Sequence, residues 1–453
     1  MTQVAAIVQR TAVERLAQAV CAIQADAPML AKASLHLLDW LGCAAHGSTS
    51  PQGLVFGRWL ELQALGPHPT LAGRSSDAAA AAAYHGALGS ALEMDDVHRS
   101  SILHPGPVVI PAALAASGPQ TSGAQLLNGI ARGYEAMIRV GRALGPSHYR
   151  YWHTTSTAGS FGAAAAAASV MHLDLDRTAQ ALAIAGTRSG GLWQVRHEPN
   201  MGKAWHTASA AREGLTAAQL ASVGLTGPLG VLDGPSGWFA ATAPKANVSM
   251  LDEARPTPWL DDMSIKPWPA CRHAHPAMDA FRQAAAGRIL KPSLIHKVEV
   301  FSYADALRFC NQSLPVDPSQ ARFSIQHALA AWAQWGEPQL AHYQAPALRH
   351  PNVQALRKRI SVHQDRSLEL RYPQHYGARV CISWRDGTSN QALVHDTYGD
   401  PDQPLTDSAL RAKARMLMEA AGWGQVRIEA AITVTEKLAS ATSLNALYKI
   451  IQP

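Results

Sequence analysis

Apolar residues recur at helical spacing along most of the chain up to about residue 265, and alanine is prominent among them. Segments rich in Gly, Pro and Ser, such as HGSTSPQG and GPLGVLDGPSG, separate the helical stretches. The first twenty residues share the helical spacing and lack the continuous apolar core of a signal peptide. This pattern predicts a bundle of closely packed helices.

Between about residues 295 and 400 the pattern changes to a period of two, which is typical of strands with one buried face. One helix is expected among these strands, capped by Ser324 and ending at Gly336, and the pair Asp386-Gly387 predicts a hairpin turn. The predicted strands are HKVEVFSY, LELRY, ARVCISW and NQALVHD.

Helical spacing returns after about residue 405. The predicted fold class is therefore mostly α, with a large all-α helical domain formed by both chain ends and a smaller α+β lid domain. The expected boundaries are 1–267 for the first part of the helical domain, 268–404 for the lid and 405–453 for the C-terminal return.

Composition narrows the classes of function. The chain carries 39 basic and 33 acidic residues, a net charge of +6, without a run of five Lys or Arg, which favours a small anionic substrate over nucleic acid. Five scattered cysteines without a CxxC pair give little support to a disulfide framework or a thiolate metal site. The longest apolar run, GAAAAAASVM, is too short to cross a bilayer, so we expect a cytoplasmic protein with no membrane partner.

The segment ALEMDDVHRSSILHP gathers titratable side chains at the end of an alanine-rich predicted helix. Acids such as Glu93 and Asp96 would face the negative end of the helix dipole, at a cost of up to about 1 kcal/mol, which indicates a specific role. The ordinary alternative is that they pair with arginines or face water. His104 follows at a bend before a predicted helix with Pro111 near its first turn, where a histidine is well placed to carry protons.

Two further clusters combine histidine with hydroxyl or ammonium groups. In YWHTTSTAGSFG, His153 precedes hydroxyls that include Thr155, at a helix start whose free N–H groups attract carboxylates; a plain helix cap explains it equally well. In MGKAWHTASAAREG, Lys203 and His206 lie three residues apart on one helix face. Lys203 is either a substrate clamp, a base of lowered pKa or a solvated surface charge.

The fourth cluster, SIKPWPACRHAHPAMDA, lies at the expected domain boundary, where clefts often bind small ligands. Arg272, His273 and His275 begin a predicted helix that contains Asp279. His273 and His275 together suggest a metal site, but no third ligand follows at a recognisable spacing. A metal-free site is therefore favoured.

These four clusters, in this order, resemble the motifs of the MmgE/PrpD family, which includes 2-methylcitrate dehydratase, cis-aconitate decarboxylase and iminodisuccinate epimerase. The resemblance spans at least residues 85–280, and the later ARFSIQHALA also resembles a family element. It implies a helical domain from both chain ends, an α+β lid, and a homodimer without metal or organic cofactor. The matching segments are EMDDVHRSSILHP, HTTSTAGSFGAAAA, GKAWHTASAAREG and KPWPACRHAHPAMDA.

The resemblance also implies a set of site residues, which we expect to face one pocket between the lid and the helices. The residues expected to be catalytic are His104, His153, Lys203 and His275. Glu93 is also among the positions that the resemblance implies. The full set expected to bind or line the substrate adds residues of the same clusters to it: Glu93, Asp96, Val97, Thr155, Arg272 and His273.

Four positions depart from the family pattern. Glu93 stands where the family has aspartate, and Val97 stands where it has threonine. Gly202 replaces the threonine before the lysine, and Ala208 replaces a glycine of the same motif. These changes affect the lining that recognises the substrate more than the groups expected to perform the chemistry.

The leading hypothesis is a cofactor-free lyase of the 2-methylcitrate dehydratase type that abstracts a proton next to a carboxylate of a small di- or tricarboxylate. The alternatives on the same scaffold are decarboxylation, as with cis-aconitate, and epimerisation, as with iminodisuccinate. A carboxylate-binding protein that has lost catalysis and a metal-dependent hydrolase using His273 and His275 are two further alternatives.

Overall fold

Helices make up most of the secondary structure in residues 10–198 and 200–452, which a computed structural model describes. The mostly α fold class predicted from the sequence is confirmed. The chain divides into two compact units. The helical unit contains the described residues up to Ala91, Ser101–Asp261 and the chain from Arg411 onward, and the mixed unit contains Leu92–Ser100 and Asp262–Leu410.

The helical unit is built from both ends of the chain, and two short strands accompany its helices. Its first part contains α1 (Ala12–Cys21), α2 (Ala27–Ser48), α3 (Pro51–Glu61), β1 (His68–Pro69), β2 (Ser75–Ser76), α4 (Ala78–Ser90), α5 (Gly106–Ala116), α6 (Gly123–Tyr149), α7 (Thr154–Thr157), α8 (Gly159–Val170), α9 (Leu175–Arg188), α10 (Gly202–Ser222) and α11 (Trp238–Thr242).

Short polar side chains begin several of these helices by accepting a hydrogen bond from a backbone N–H that has no partner within the helix. Asp26 caps α2 by accepting from Met29 N at 2.9 Å, and Asp77 caps α4 by accepting from Ala80 N at 2.9 Å. Each such cap stabilises its helix by about 1 kcal/mol. The caps therefore fix where the alanine-rich segments start.

Helix α8 packs against α5, α6, α9 and α10, and its alanines from 163 to 168 are at most 1 % exposed. The absence of larger side chains lets the neighbouring backbones approach closely. A Cβ added to Gly214 of α10 would lie 2.5 Å from the carbonyl oxygen of Ser160 and 2.7 Å from the amide nitrogen of Ala164. The glycine is therefore required by the spacing of α8 and α10.

Gly214→Ala should destabilise the helical unit by about 1–3 kcal/mol, because backbone atoms of α8 would have to move to admit the new methyl group. Gly57→Ala in α3 is the matched control, since nothing lies within 4 Å of an added Cβ there. We expect that control to be neutral or to stabilise by up to about 1 kcal/mol. Urea unfolding of both variants measures the difference; equal midpoints would contradict the close contact.

The mixed unit contains a four-stranded sheet surrounded by short helices. Its elements are β3 (Val97–His98), β4 (Met263–Ser264), α12 (His275–Ala284), β5 (Ile295–Ser302), α13 (Ala304–Cys310), α14 (Pro318–Arg322), α15 (Ile325–Trp335), α16 (Ala345–Leu348), α17 (Pro351–Arg357), β6 (Ile360–Gln364), α18 (Arg366–Glu369), β7 (Ala378–Trp384) and β8 (Ser389–Val394). After the sheet, α19 (Asp407–Ala420) begins in the mixed unit and continues into the helical unit. The helical unit also contains α20 (Gln425–Glu436) and α21 (Asn445–Ile451).

The sheet has the strand order β6-β5-β7-β8, with β5 parallel to β6 and the other pairs antiparallel. Alternate residues of its central strands, including Val298, Val300, Val380 and Ile382, are fully buried. Helix α12 packs on β7 and β8, and Phe281 of that helix is also fully buried. Alternation in the sequence thus predicts the buried face correctly.

Several local predictions for the mixed unit are confirmed. Ser324 caps α15 by accepting from His327 N at 2.9 Å, and Gly336 ends that helix with a φ of 81°. The Asp386-Gly387 turn joins β7 to β8, and Gly387 has a φ of 86°. The predicted strands at β5, β7 and β8 are present.

The predicted strand LELRY is wrong. Asp365 accepts hydrogen bonds from the backbone of Ser367 and Leu368, which begins the helical turn α18. Leu368 is buried but Leu370 is 77 % exposed, whereas a half-buried strand would bury both. The strand beside this segment is β6, which the alternation did not reveal.

Three predictions around the first cluster also need correction. Helix α4 ends at Ser90, so Glu93 and Asp96 follow the helix and do not occupy its last turn. They lie in the segment Leu92–Ser100, which belongs to the mixed unit although the sequence assigned it to the helical domain. Pro111 lies inside α5, whose first turn holds Pro107 instead.

Among residues 10–198 and 200–452, no helix combines the length and the apolar character that crossing a bilayer requires. The helical spacing noted over the first twenty residues is matched by α1 from Ala12 onward. The first nine residues of the chain, where the same spacing was noted, lie outside the described residues.

Candidate active site

The helical unit brings two of the four predicted clusters into direct contact. The backbone N–H of His104 donates to the hydroxyl oxygen of Thr155 at 3.2 Å, although the two residues are 51 positions apart. Thr155 is fully buried and His104 is half-buried. Because its main chain is tied to α7, the position of His104 before α5 is defined by tertiary contact as well as by the local bend.

His153 meets a second histidine in the same unit. It precedes α7, and its backbone N–H donates to the carbonyl oxygen of Gly191 at 2.9 Å. Its Nδ1 lies 3.0 Å from Nδ1 of His206 on α10. The two ring centroids are 5.2 Å apart, and Trp193 covers His153 at a centroid distance of 4.3 Å. The second and third predicted clusters therefore also meet.

His206 is electrostatically distinct from an exposed histidine. Burial, and secondarily the positive charge of Lys203, lower the pKa of His206 to about 4. His206 is therefore neutral near pH 7. A neutral imidazole can accept a hydrogen bond through one ring nitrogen while it carries a hydrogen on the other.

The mixed unit contains a buried ion cluster around Lys266. The Nζ atom of Lys266 lies 3.2 Å from Asp95 Oδ1 and 3.7 Å from Glu93 Oε2, and the lysine side chain is fully buried. Burial alone would lower the pKa of Lys266, but the charges of Asp95 and Glu93 raise it above its ordinary value. Glu93 has a φ of 56°, a strained conformation for a residue with a Cβ.

Arg272 and His275 form a second buried network in the mixed unit. Arg272 pairs with Asp400, which also accepts from Ser264 Oγ at 2.5 Å. Nη1 of Arg272 lies 3.3 Å from Nδ1 of His275, and Nε2 of His275 lies 3.1 Å from the carbonyl oxygen of Ala270. Because both ring nitrogens of His275 are engaged, it can exchange a proton only if one contact breaks.

The remaining predicted residues of this unit, His273, Val97 and Asp96, are all buried. His273 contacts Tyr303 Oη through Nδ1 at 2.9 Å, and its ring stacks on Phe309 and Tyr376. Val97 pairs with Ser264 between β3 and β4. Asp96 precedes this strand and is 3 % exposed.

The structure thus groups the predicted residues within each unit. His104, Thr155, His153 and Lys203 belong to the helical unit. Glu93, Asp96, Val97, Arg272, His273 and His275 belong to the mixed unit. The single pocket expected from the sequence stays a prediction.

Several buried residues around these groups were not among the predicted site residues, including Lys266, Asp400 and Trp193. Lys266 lies in the apolar stretch MSIKPWPA, where a lysine is unusual, so the sequence did contain a signal for it. Asp400 lies in the turn sequence YGDPDQ, where an aspartate is ordinary. Its tertiary contacts with Arg272 and Ser264 distinguish it.

The metal-ligand hypothesis for His273 and His275 receives no support from their contacts, which are with Tyr303, Arg272 and a carbonyl oxygen. Among the described residues, the group with ligand atoms close enough to hold a metal consists of His375, Asp396 and Asp402. Arg99 binds these two aspartates at 2.6 and 2.7 Å, so a cation already compensates part of their charge.

The helical unit also contains a cavity of about 340 Å³ in another location. No predicted site residue is among its described lining residues. These are Pro67, His68, Ala115, Ala116, Ser117, Gly118, Pro119, Met171, Gln219 and Tyr448.

Comparison with known proteins gives matches over most of the chain. The model of the MmgE/PrpD N-terminal domain matches residues 14–251, and that of the MmgE/PrpD C-terminal domain matches residues 268–437. The first of these matches alone covers more than half of the chain.

Individual relatives are similar at low identity but along much of their length. A cis-aconitate decarboxylase-like protein of Aspergillus oryzae (strain ATCC 42149 / RIB 40) is 27% identical over 424 residues, which cover 86% of this chain and 86% of that protein. The cis-aconitate decarboxylase of Mus musculus is 26% identical over 402 residues, covering 82% and 78%. That of Homo sapiens is 25% identical over 407 residues, covering 84% and 81%.

Proposed function

Because the chain belongs to the MmgE/PrpD family, we propose that it is a lyase that decarboxylates a small unsaturated tricarboxylate of the cis-aconitate kind. The relatives named above support decarboxylation over the dehydration that the sequence motifs favoured. The observation that carries the proposal is the hydrogen bond from His104 to Thr155, because it joins two of the predicted catalytic segments.

The proposed reaction needs a proton donor and positive charge. The bond breaks between a carboxylate carbon and the carbon next to the alkene, and CO2 leaves. The released electron pair forms a new double bond to the near carbon of the alkene. A proton is then added to the carbon at the far end of that alkene. We assign proton donation to His104 and His153, because histidine side chains readily transfer protons near neutral pH. We assign the binding of a substrate carboxylate to Lys203.

The hydroxyl of Thr155 can contribute as well. Its oxygen accepts the N–H of His104, and its hydrogen is left to donate to a substrate oxygen. In the mixed unit, Arg272 and His275 stay in the predicted set, together with Glu93. The homodimer implied by the family resemblance also stays a prediction.

We expect the purified protein to release CO2 from cis-aconitate and to form an unsaturated dicarboxylate, monitored by ¹³C NMR with ¹³C-labelled substrate. Parallel incubations contain 2-methylcitrate and iminodisuccinate. Water loss from 2-methylcitrate without any CO2 release would replace the proposal by the dehydratase. Inversion of iminodisuccinate alone would replace it by the epimerase, and tight binding of all three without turnover would replace it by a carboxylate-binding protein.

A further inference from the structure

His153 and His206 face each other through the same ring nitrogen. Nδ1 of one is 3.0 Å from Nδ1 of the other, which is within hydrogen-bond distance. His153 is 1 % exposed and His206 is 8 % exposed, so water competes little for this contact. Both residues belong to the helical unit.

A hydrogen bond between two Nδ1 atoms requires that only one of them carries a hydrogen. If both rings were charged, two N–H groups would point at each other and the bond would be lost. The pair therefore holds one shared hydrogen on this axis, and one ring is the donor while the other is the acceptor.

The surroundings of His206 disfavour a positive charge on its ring. Burial, followed by the charge of Lys203 on the same helix, lowers the pKa of His206 to about 4. The charge of Lys203 and the low exposure disfavour a charge on His206, so its ring stays neutral and can accept the hydrogen on this axis.

The main chain holds both rings in this arrangement. Ser156 Oγ donates to the carbonyl oxygen of His206 at 3.2 Å, which ties α7 to α10. Gly191, whose carbonyl accepts the N–H of His153, has a φ of 120°, and an added Cβ there would lie 2.8 Å from Cβ of Ser156. The orientation of His153 is therefore determined by several contacts and not by its own rotamer alone.

We propose that His206 is a positioning residue for His153: its Nδ1 accepts the Nδ1–H of His153, so that Nε2 of His153 is the atom that takes up a proton and then gives it to the substrate. This inference rests on the proton-donor role given to His153 in the proposed function. It deepens that role by naming the reacting atom and the residue that selects it. A residue that hydrogen-bonds to the non-reacting ring nitrogen commonly fixes the tautomer of a functional histidine.

The test uses two variants of similar shape, His206→Leu and His206→Asn. Leucine removes the acceptor, whereas the asparagine side-chain oxygen can replace it near the Nδ1 position. The first readout is the tautomer of the His153 ring in the free protein, measured from ¹⁵N shifts of its ring nitrogens and assigned with His153→Gln. We expect hydrogen on Nδ1 in the wild type and in His206→Asn, and a shift toward Nε2–H in His206→Leu.

The second readout is turnover of cis-aconitate. We expect His206→Leu to lower kcat by about 10- to 100-fold with a change in KM below about threefold, and His206→Asn to recover most of the loss. A wild-type His153 with hydrogen on Nε2, a tautomer unchanged by His206→Leu, or an unchanged kcat would each overturn the proposal. The tautomer measurement needs no substrate, so its result distinguishes a failure of this inference from a failure of the proposed reaction.

Discussion

Replacement of His104 by alanine is expected to lower kcat/KM for cis-aconitate by about 10²- to 10⁴-fold, the range typical for loss of a general acid or base. The loss should be in catalysis and not in folding. The backbone N–H that binds Thr155 is unaffected by the substitution, so the contact between the start of α5 and α7 remains. The half-buried ring itself is not part of the helical core.

The matched control is His68→Ala, in a histidine of the same unit that lines the cavity containing none of the predicted residues. Both variants are compared by steady-state kinetics after circular dichroism and thermal unfolding have verified the fold. His68→Ala should retain activity within about threefold, equivalent to roughly 0.7 kcal/mol. If His104→Ala also stays within about tenfold of wild type, His104 has no part in the chemistry.

Replacement of Lys266 by methionine is expected to reduce the free energy of unfolding by about 3–5 kcal/mol, because two buried carboxylates lose their ammonium partner. Methionine keeps the apolar stem of the side chain and removes the ammonium group, with its charge and its hydrogen bond to Asp95. The raised pKa of Lys266 means that its contribution is fully present below its ordinary pKa and is lost only as pH rises through the raised value. Measurement at pH 7 therefore captures the whole effect.

Lys297→Met provides the control within the same unit. The Lys297–Glu299 pair has a shorter N–O distance, 2.7 Å against 3.2 Å for Lys266–Asp95, but its side chains are 48 % and 34 % exposed. We expect a loss of at most about 1 kcal/mol for this exposed pair. Guanidinium unfolding of both variants shows whether the N–O distance or the burial of an ion pair governs its contribution to the free energy of unfolding.

A triple variant tests the cause of the loss. Lys266→Met combined with Asp95→Asn and Glu93→Gln removes the uncompensated charges, so it should recover part of the stability lost in Lys266→Met. Equal effects of Lys266→Met and Lys297→Met, or a triple variant less stable than Lys266→Met, would show that the cluster does not act through buried charge.

Prediction from the sequence succeeded where residues within one short segment determine where a helix begins and ends. Ser324 and Gly336 bound α15 because a hydroxyl cap and a positive φ act over a few residues. The strand LELRY was predicted wrongly because its alternation competes with the side chain of Asp365, which starts a helical turn. The end of α4 at Ser90 was also missed, because the helical pattern continues past it and does not reveal the positive φ of Glu93.

The fold class, the family motifs and the types of residue available for catalysis could all be read from the linear chain. These properties depend on periodicity and on the chemical identity of side chains. Three-dimensional packing was needed to reveal that His104 binds Thr155, that His153 meets His206, and that Lys266 neutralises Asp95. Each of those contacts joins residues at least 51 positions apart. Hydrogen bonds and ion pairs depend on distance in space, which spacing along the chain does not specify.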